Sequence, residues 1–119
     1  MFIDMENKKL EEFLELLDSC SENVFDEKKI QSDIYQILNE IKDNSVWEML
    51  RLACSVNQIP FSDGESGEEI ARNIVDRAIE KAVRENNVDD LTTIADELEN
   101  SLEFDDLAEE VREIIRGIS

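Results

Sequence analysis

Carboxylates are the side chains in this sequence numerous enough to do chemistry. The 27 residues between Arg84 and Arg112 hold 11 of them and no basic group. Paired carboxylates can hold a metal ion or share a proton. With 31 Asp and Glu against 12 Lys and Arg, however, chance alone sets many acids at i, i+4, and a solvated helix face is the stronger reading. Histidine is absent. That removes the commonest general acid–base group, His-dependent nucleophilic triads and most catalytic zinc sites. The segment Asp63-Gly64-Glu65-Ser66-Gly67 places acids where a bound phosphate would sit, and it lacks the alternating ligands of a calcium loop ahead of its glycine. Cys20 follows the first helix and Cys54 shares an apolar stripe with Leu50 and Ala53, so both read as core or boundary thiols. Two cysteines are no disulfide framework. The expected chemistry is therefore none: a non-enzymatic protein with no cofactor and no metal.

The formal charge of −19 opposes compaction and projects a long-range field. Nucleic acid and anionic membranes are poor partners for such a chain, and a basic protein surface is a good one. The start, Met1-Phe2-Ile3-Asp4, has no basic segment followed by an apolar run, and no 18-residue apolar stretch occurs. A cytoplasmic protein with reduced thiols is the expectation.

At 119 residues and 41% apolar, the chain has material for one core and is too hydrophobic for the disordered class. One proline and three glycines leave little turn punctuation for a β-rich fold. Helix starts repeat an apolar residue followed by Asp, at Ile3-Asp4, Phe25-Asp26, Val88-Asp89 and Phe104-Asp105. An Asp carboxylate accepts the unpaired N–H groups of a first turn and suits its positive end. Ser45 with Glu48 and Ser66 with Glu69 have capping-box spacing. Six caps predict six helices, at 5–19, 27–42, 46–56, 67–86, 90–100 and 106–116, in an all-α six-helix bundle. The chain reads as one domain: N-terminal helices over 5–56, a loop over 57–67 and C-terminal helices over 67–116.

Each helix carries an apolar stripe at i, i+3, i+4, i+7, the pattern of one buried face. The stripes are Leu10, Phe13, Leu14 and Leu17; Ile30, Ile34, Ile37, Leu38 and Ile41; and Ile70, Ile74, Ala78 and Ala82, widened by Ala71, Val75, Ile79 and Val83. Leu91, Ile94, Ala95 and Leu98 follow, then Leu107, Val111, Ile114 and Ile115 with Gly117 as a stop. Met49, Leu50 and Leu52 read as core or near-core, and Trp47 beside them as a partly buried packing residue. Ile59 and Phe61 are expected to pin the loop to the core.

On the opposite faces lie Asp96 and Glu99 of the fifth helix, with Glu103 just past its end, and Asp106, Glu109, Glu110 and Glu113 of the sixth. The short 101–105 link predicts that these two helices are neighbours and that the seven acids form one electronegative docking surface. Trp47 with Ile59 and Phe61 is the secondary candidate.

Leu50-Arg51-Leu52-Ala53-Cys54, Ile59-Pro60-Phe61, the step at Gly64 and Gly67, Ala71-Arg72-Asn73-Ile74-Val75 and Asn87-Val88-Asp89-Asp90-Leu91 follow one another in a rhythm that resembles the bacterial death-like, or effector-associated, domains. The resemblance covers about residues 50–98. It implies a six-helix module that joins sensors to effectors in prokaryotic conflict systems through domain–domain contacts. Family members end the fourth helix with Arg-Gly-Arg-Leu. Here the segment is Glu85-Asn86-Asn87-Val88 and the helix reads one turn longer, with asparagine able to supply the left-handed turn. Two functions compete. The first is an adaptor or regulator that docks a basic protein, with homo- or hetero-oligomers formed through its helices. The second is a phage-type acidic inhibitor that mimics DNA and blocks a CRISPR or restriction nuclease.

Overall fold

The computed structural model describes residues 4–20, 24–41 and 46–118. They form six α-helices and, among the described residues, no strand: α1 (Asp4–Ser19), α2 (Glu27–Ile41), α3 (Val46–Asn57), α4 (Ser66–Arg84), α5 (Val88–Asn100) and α6 (Asp105–Ile118). The all-α six-helix bundle expected from the caps is the observed fold. Its extents, 46 × 39 × 20 Å, make a slab about two helix diameters thick.

The stripes converge except at their edges: Val83 is exposed, and Phe13, Ile79, Leu107, Ile114 and Ile115 are only partly buried against the cluster. Buried side chains from all six helices form one apolar cluster, and no polar or charged residue is buried among the described side chains. Helix α3 is the hub. It buries Val46, Met49, Leu50, Leu52, Ala53 and Val56 and packs against α1, α2, α4 and α5. Helix α4 lies along it on a face of mostly small side chains, and α6 folds back onto α5. Gly67 marks the closest approach. A Cβ there would stand 3.0 Å from the Val56 carbonyl oxygen and 3.3 Å from that of Ile59.

The 57–67 loop is anchored as expected, with Ile59 and Phe61 buried. Phe61 meets Phe25 edge to face at 5.8 Å between centroids. Glu27, at the start of α2, accepts hydrogen bonds from the Ser62 N–H and hydroxyl. Gly64 turns the chain at φ 72°, a conformation favoured by the absence of a Cβ.

The caps are partly as expected. Asp26 accepts from the Lys29 N–H at 3.2 Å and starts α2. Ser66 does not cap α4, because the helix already includes it. Instead Asp63 accepts from the Glu65 and Ser66 N–H groups at 2.9 Å each, and from the Ser66 hydroxyl. These bonds hold the Asp63 carboxyl below its usual pKa, the Ser66 hydroxyl contributing most. Asn87, not Asp89, caps α5, accepting from the Asp90 N–H at 3.0 Å. Its amide reaches the Asp90 carboxylate in return. Asp105 is the first residue of α6, and the preceding Phe104 carbonyl accepts the first turn's bond from Ala108. The expectations at Ile3, Ser45 and residue 42 fall outside the described residues.

Two helix C-termini differ from expectation by two residues. Helix α4 stops at Arg84, about half a turn early: Asn86 takes φ 52°, and Asn87 and Asn86 donate to the carbonyls of Ala82 and Val83. This is the Schellman arrangement, with asparagine in the left-handed position that glycine usually takes. Gly117 does not stop α6, which continues through Ile118, since a glycine in helical conformation weakens a helix without ending it.

Candidate functional site

The link between α5 and α6 is built by its buried side chains. Leu102 and Phe104 enter the core, Glu103 turns at φ 60°, and the Phe104 N–H donates to the Leu98 carbonyl at 2.8 Å. This brings the two acid-bearing helices side by side, as the short link predicts.

The seven acids do not form one uniform surface. Two arginines divide them. Arg112, from α6 itself, reaches across to α5, with Nη2 3.5 Å from Asp96 and Nη1 hydrogen-bonded to Glu99. Arg72, from α4, takes Asp106 with both nitrogens of its fork, at 2.9 and 3.3 Å. That pairing holds the Asp106 carboxyl below its ordinary pKa and raises that of the guanidinium. Asp96, Glu99 and Asp106 are therefore half-neutralised within the chain. Glu103, Glu109, Glu110 and Glu113 are exposed and make no side-chain hydrogen bond or ion pair among the described residues. The unpaired part of the surface is thus mainly one face of α6.

The secondary trio is separated. Ile59 and Phe61 are in the core at 6% and 5% exposure, whereas Trp47 is 52% exposed on the first turn of α3. Trp47 is a surface residue rather than the packing residue expected. It lies one position beyond the stripe of Val46, Met49, Leu50 and Ala53, and shares its face with Arg51 and Cys54 at i+4 and i+7. That face looks onto α1 across a cleft of about 280 Å³, closed at one side by Glu97 of α5. Arg51 spans the cleft to Glu11, lowering the glutamate's pKa through their hydrogen bond. Sequence reasoning missed this cleft. The spacing of Trp47, Arg51 and Cys54 is its trace in the sequence.

Burial pushes both thiols, Cys20 and Cys54, above the usual cysteine pKa, with Glu97 adding to the shift at Cys54. Both are free and stay protonated at neutral pH. Among the described residues, no group of three or more His, Cys, Asp or Glu is placed to hold a metal ion, and no helix is long and apolar enough to cross a membrane. No protein-family model, curated protein or solved structure matches this chain.

Proposed function

We propose that this protein is an interaction module, an adaptor or regulator without catalytic activity, that docks a basic protein partner through the acidic face of α6. The observation that carries the reading is the set Glu109, Glu110 and Glu113, exposed on one helix and unpaired among the described residues, in a chain with net charge −19. Carboxylates left unpaired in a chain that pairs their neighbours with arginine project a field outward, which steers a Lys/Arg-rich surface and raises its association rate more than its lifetime. The resemblance of residues 50–98 to death-like domains supports an adaptor role, and a prokaryotic defence system is the setting that resemblance suggests. Arginine pairing at Asp96, Glu99 and Asp106 breaks what would otherwise be a phosphate-like array, which weighs against DNA mimicry.

The test is stopped-flow association with a fluorescent Lys/Arg-rich peptide across a range of salt. The rate should fall steeply with salt for the unmodified chain. Glu109→Lys, Glu110→Lys and Glu113→Lys together should slow association strongly while changing dissociation little. These positions give a cleaner test than Glu99 or Asp106, where a lysine would face Arg112 or Arg72. An unchanged rate in the triple variant would remove the α6 face from the reading. Displacement of duplex DNA from a nuclease by the unmodified chain would replace docking with nucleic-acid mimicry.

A further inference from the structure

The cleft between α1 and α3 holds the half-exposed indole of the chain's one tryptophan beside an apolar floor. Leu14 and Leu50 supply the floor, and both are buried. The walls follow from helix spacing: residues 11, 14, 15 and 18 share one face of α1, and residues 47, 50, 51, 54 and 55 share one face of α3. Among the described residues, the carboxylates of Glu11, Glu15 and Glu97 line the cleft together with the guanidinium of Arg51, which Glu11 already holds. Glu15 and Glu97 make no side-chain hydrogen bond or ion pair among the described residues. Glu97 stands close enough to Cys54 to raise its thiol's pKa.

From this geometry we infer that the cleft is a receptor for one arginine side chain of a basic partner peptide. The inference rests on the reading above, that the chain docks basic proteins, and it names where specificity would lie. An exposed indole attracts a cation over its face, and guanidinium stacks there better than ammonium. The methylenes of arginine would cover Leu14 and Leu50, and the planar fork matches a carboxylate from Glu15 or Glu97 with two parallel hydrogen bonds. The mode copies what Arg72 does within the chain, where a guanidinium lies 4.4 Å from the Phe104 ring centroid while gripping Asp106. The acidic α6 face supplies attraction at a distance, and the Trp47 cleft supplies the contact that discriminates.

The lone tryptophan makes the test direct. The whole chain is titrated with a capped tripeptide carrying arginine at its centre, followed by Trp47 fluorescence and calorimetry. The matching citrulline peptide keeps the shape without the charge. A saturable fluorescence change is expected with arginine, and about tenfold or weaker binding with citrulline, the loss that corresponds to one charged hydrogen bond. Glu15→Gln with Glu97→Gln should weaken arginine binding by about tenfold on the same grounds, whereas Glu109→Gln, Glu110→Gln and Glu113→Gln together should leave it nearly unchanged. Trp47→Ala, read by calorimetry, should abolish it with the thermal unfolding transition retained. Equal loss in the two glutamine sets, or no saturable response of Trp47, overturns the inference. If the longer basic peptide still associates through α6 in that case, the docking reading survives without the cleft. If neither peptide binds, both fall.

Discussion

Arg72 and Asp106 tie the fourth helix to the first turn of the sixth. The two planar groups meet at 2.9 and 3.3 Å, the guanidinium lies over the Phe104 ring, and its Nε turns back to Glu68 at 3.3 Å. One arginine thus links the helix that carries the acidic face to α4, beside the core contacts of Ala108 and Val111.

The pairing sets a pH dependence. Arg72 lowers the Asp106 pKa in the folded state, so its stabilisation is fully present above the ordinary carboxylate pKa, about 4. It is lost as pH falls through the lower folded value. Urea unfolding of the unmodified chain and of Asp106→Asn, followed from neutral to strongly acidic pH, should show a stability difference that shrinks in acid. The remaining carboxylates are common to both proteins, so the comparison isolates the Arg72–Asp106 site. A difference constant over the whole range would show that the charge on Asp106 contributes nothing.

Gly67 and Gly117 both lie in helices, and alanine should act on them with opposite signs. At Gly67 a Cβ would press on two backbone carbonyls that cannot rotate away. At Gly117 nothing lies within 4 Å. Gly117→Ala should stabilise by up to about 1 kcal/mol through helix propensity, less where the helix end frays. Gly67→Ala should destabilise despite the same propensity gain, because α4 must move off α3. Thermal melts of the two variants decide it, and stabilisation by Gly67→Ala would contradict the close approach.

Ile74 and Leu98 are fully buried, each at 0% exposure. Truncation of either to alanine should cost about 2–5 kcal/mol by chemical denaturation, the range for large-to-small changes in a packed core. A loss below about 0.5 kcal/mol at both, the size of an ordinary surface substitution, would mean that these faces are not the core.

Salt should raise the melting temperature between low and moderate ionic strength. The excess of 31 acids over 12 basic groups repels itself, and 0.1 M salt screens charges beyond about 10 Å. A flat response in calorimetry would show that the ion pairs of Arg51, Arg72 and Arg112 already neutralise the repulsion that matters.

The six helices and the centres of their buried faces were legible in the sequence, because a 3.6-residue apolar period and cap residues are local properties, whereas stripe edges such as Val83 stayed outside the core. Ile34, Leu50, Ile74 and Leu98 are in the core as their spacing predicts. The loop anchors Ile59 and Phe61 were legible for the same reason, as apolar residues bracketing a proline. Helix ends were less so. Asn87 rather than Asp89 caps α5 because the left-handed turn at Asn86 places its side chain over the first turn, and at the sequence level both are good caps. The acidic face was legible as composition but not as a surface. Arg72 is 34 positions from Asp106, and only the packing of α4 and α5 brings its fork to that carboxylate. The same holds for the Trp47 cleft, whose walls come from α1, α3 and α5. Periodicity states which side of each helix turns inward. Which outward sides face one another depends on how the helices cross, and that is decided by the fit of Gly67 and the small side chains of α4 against α3.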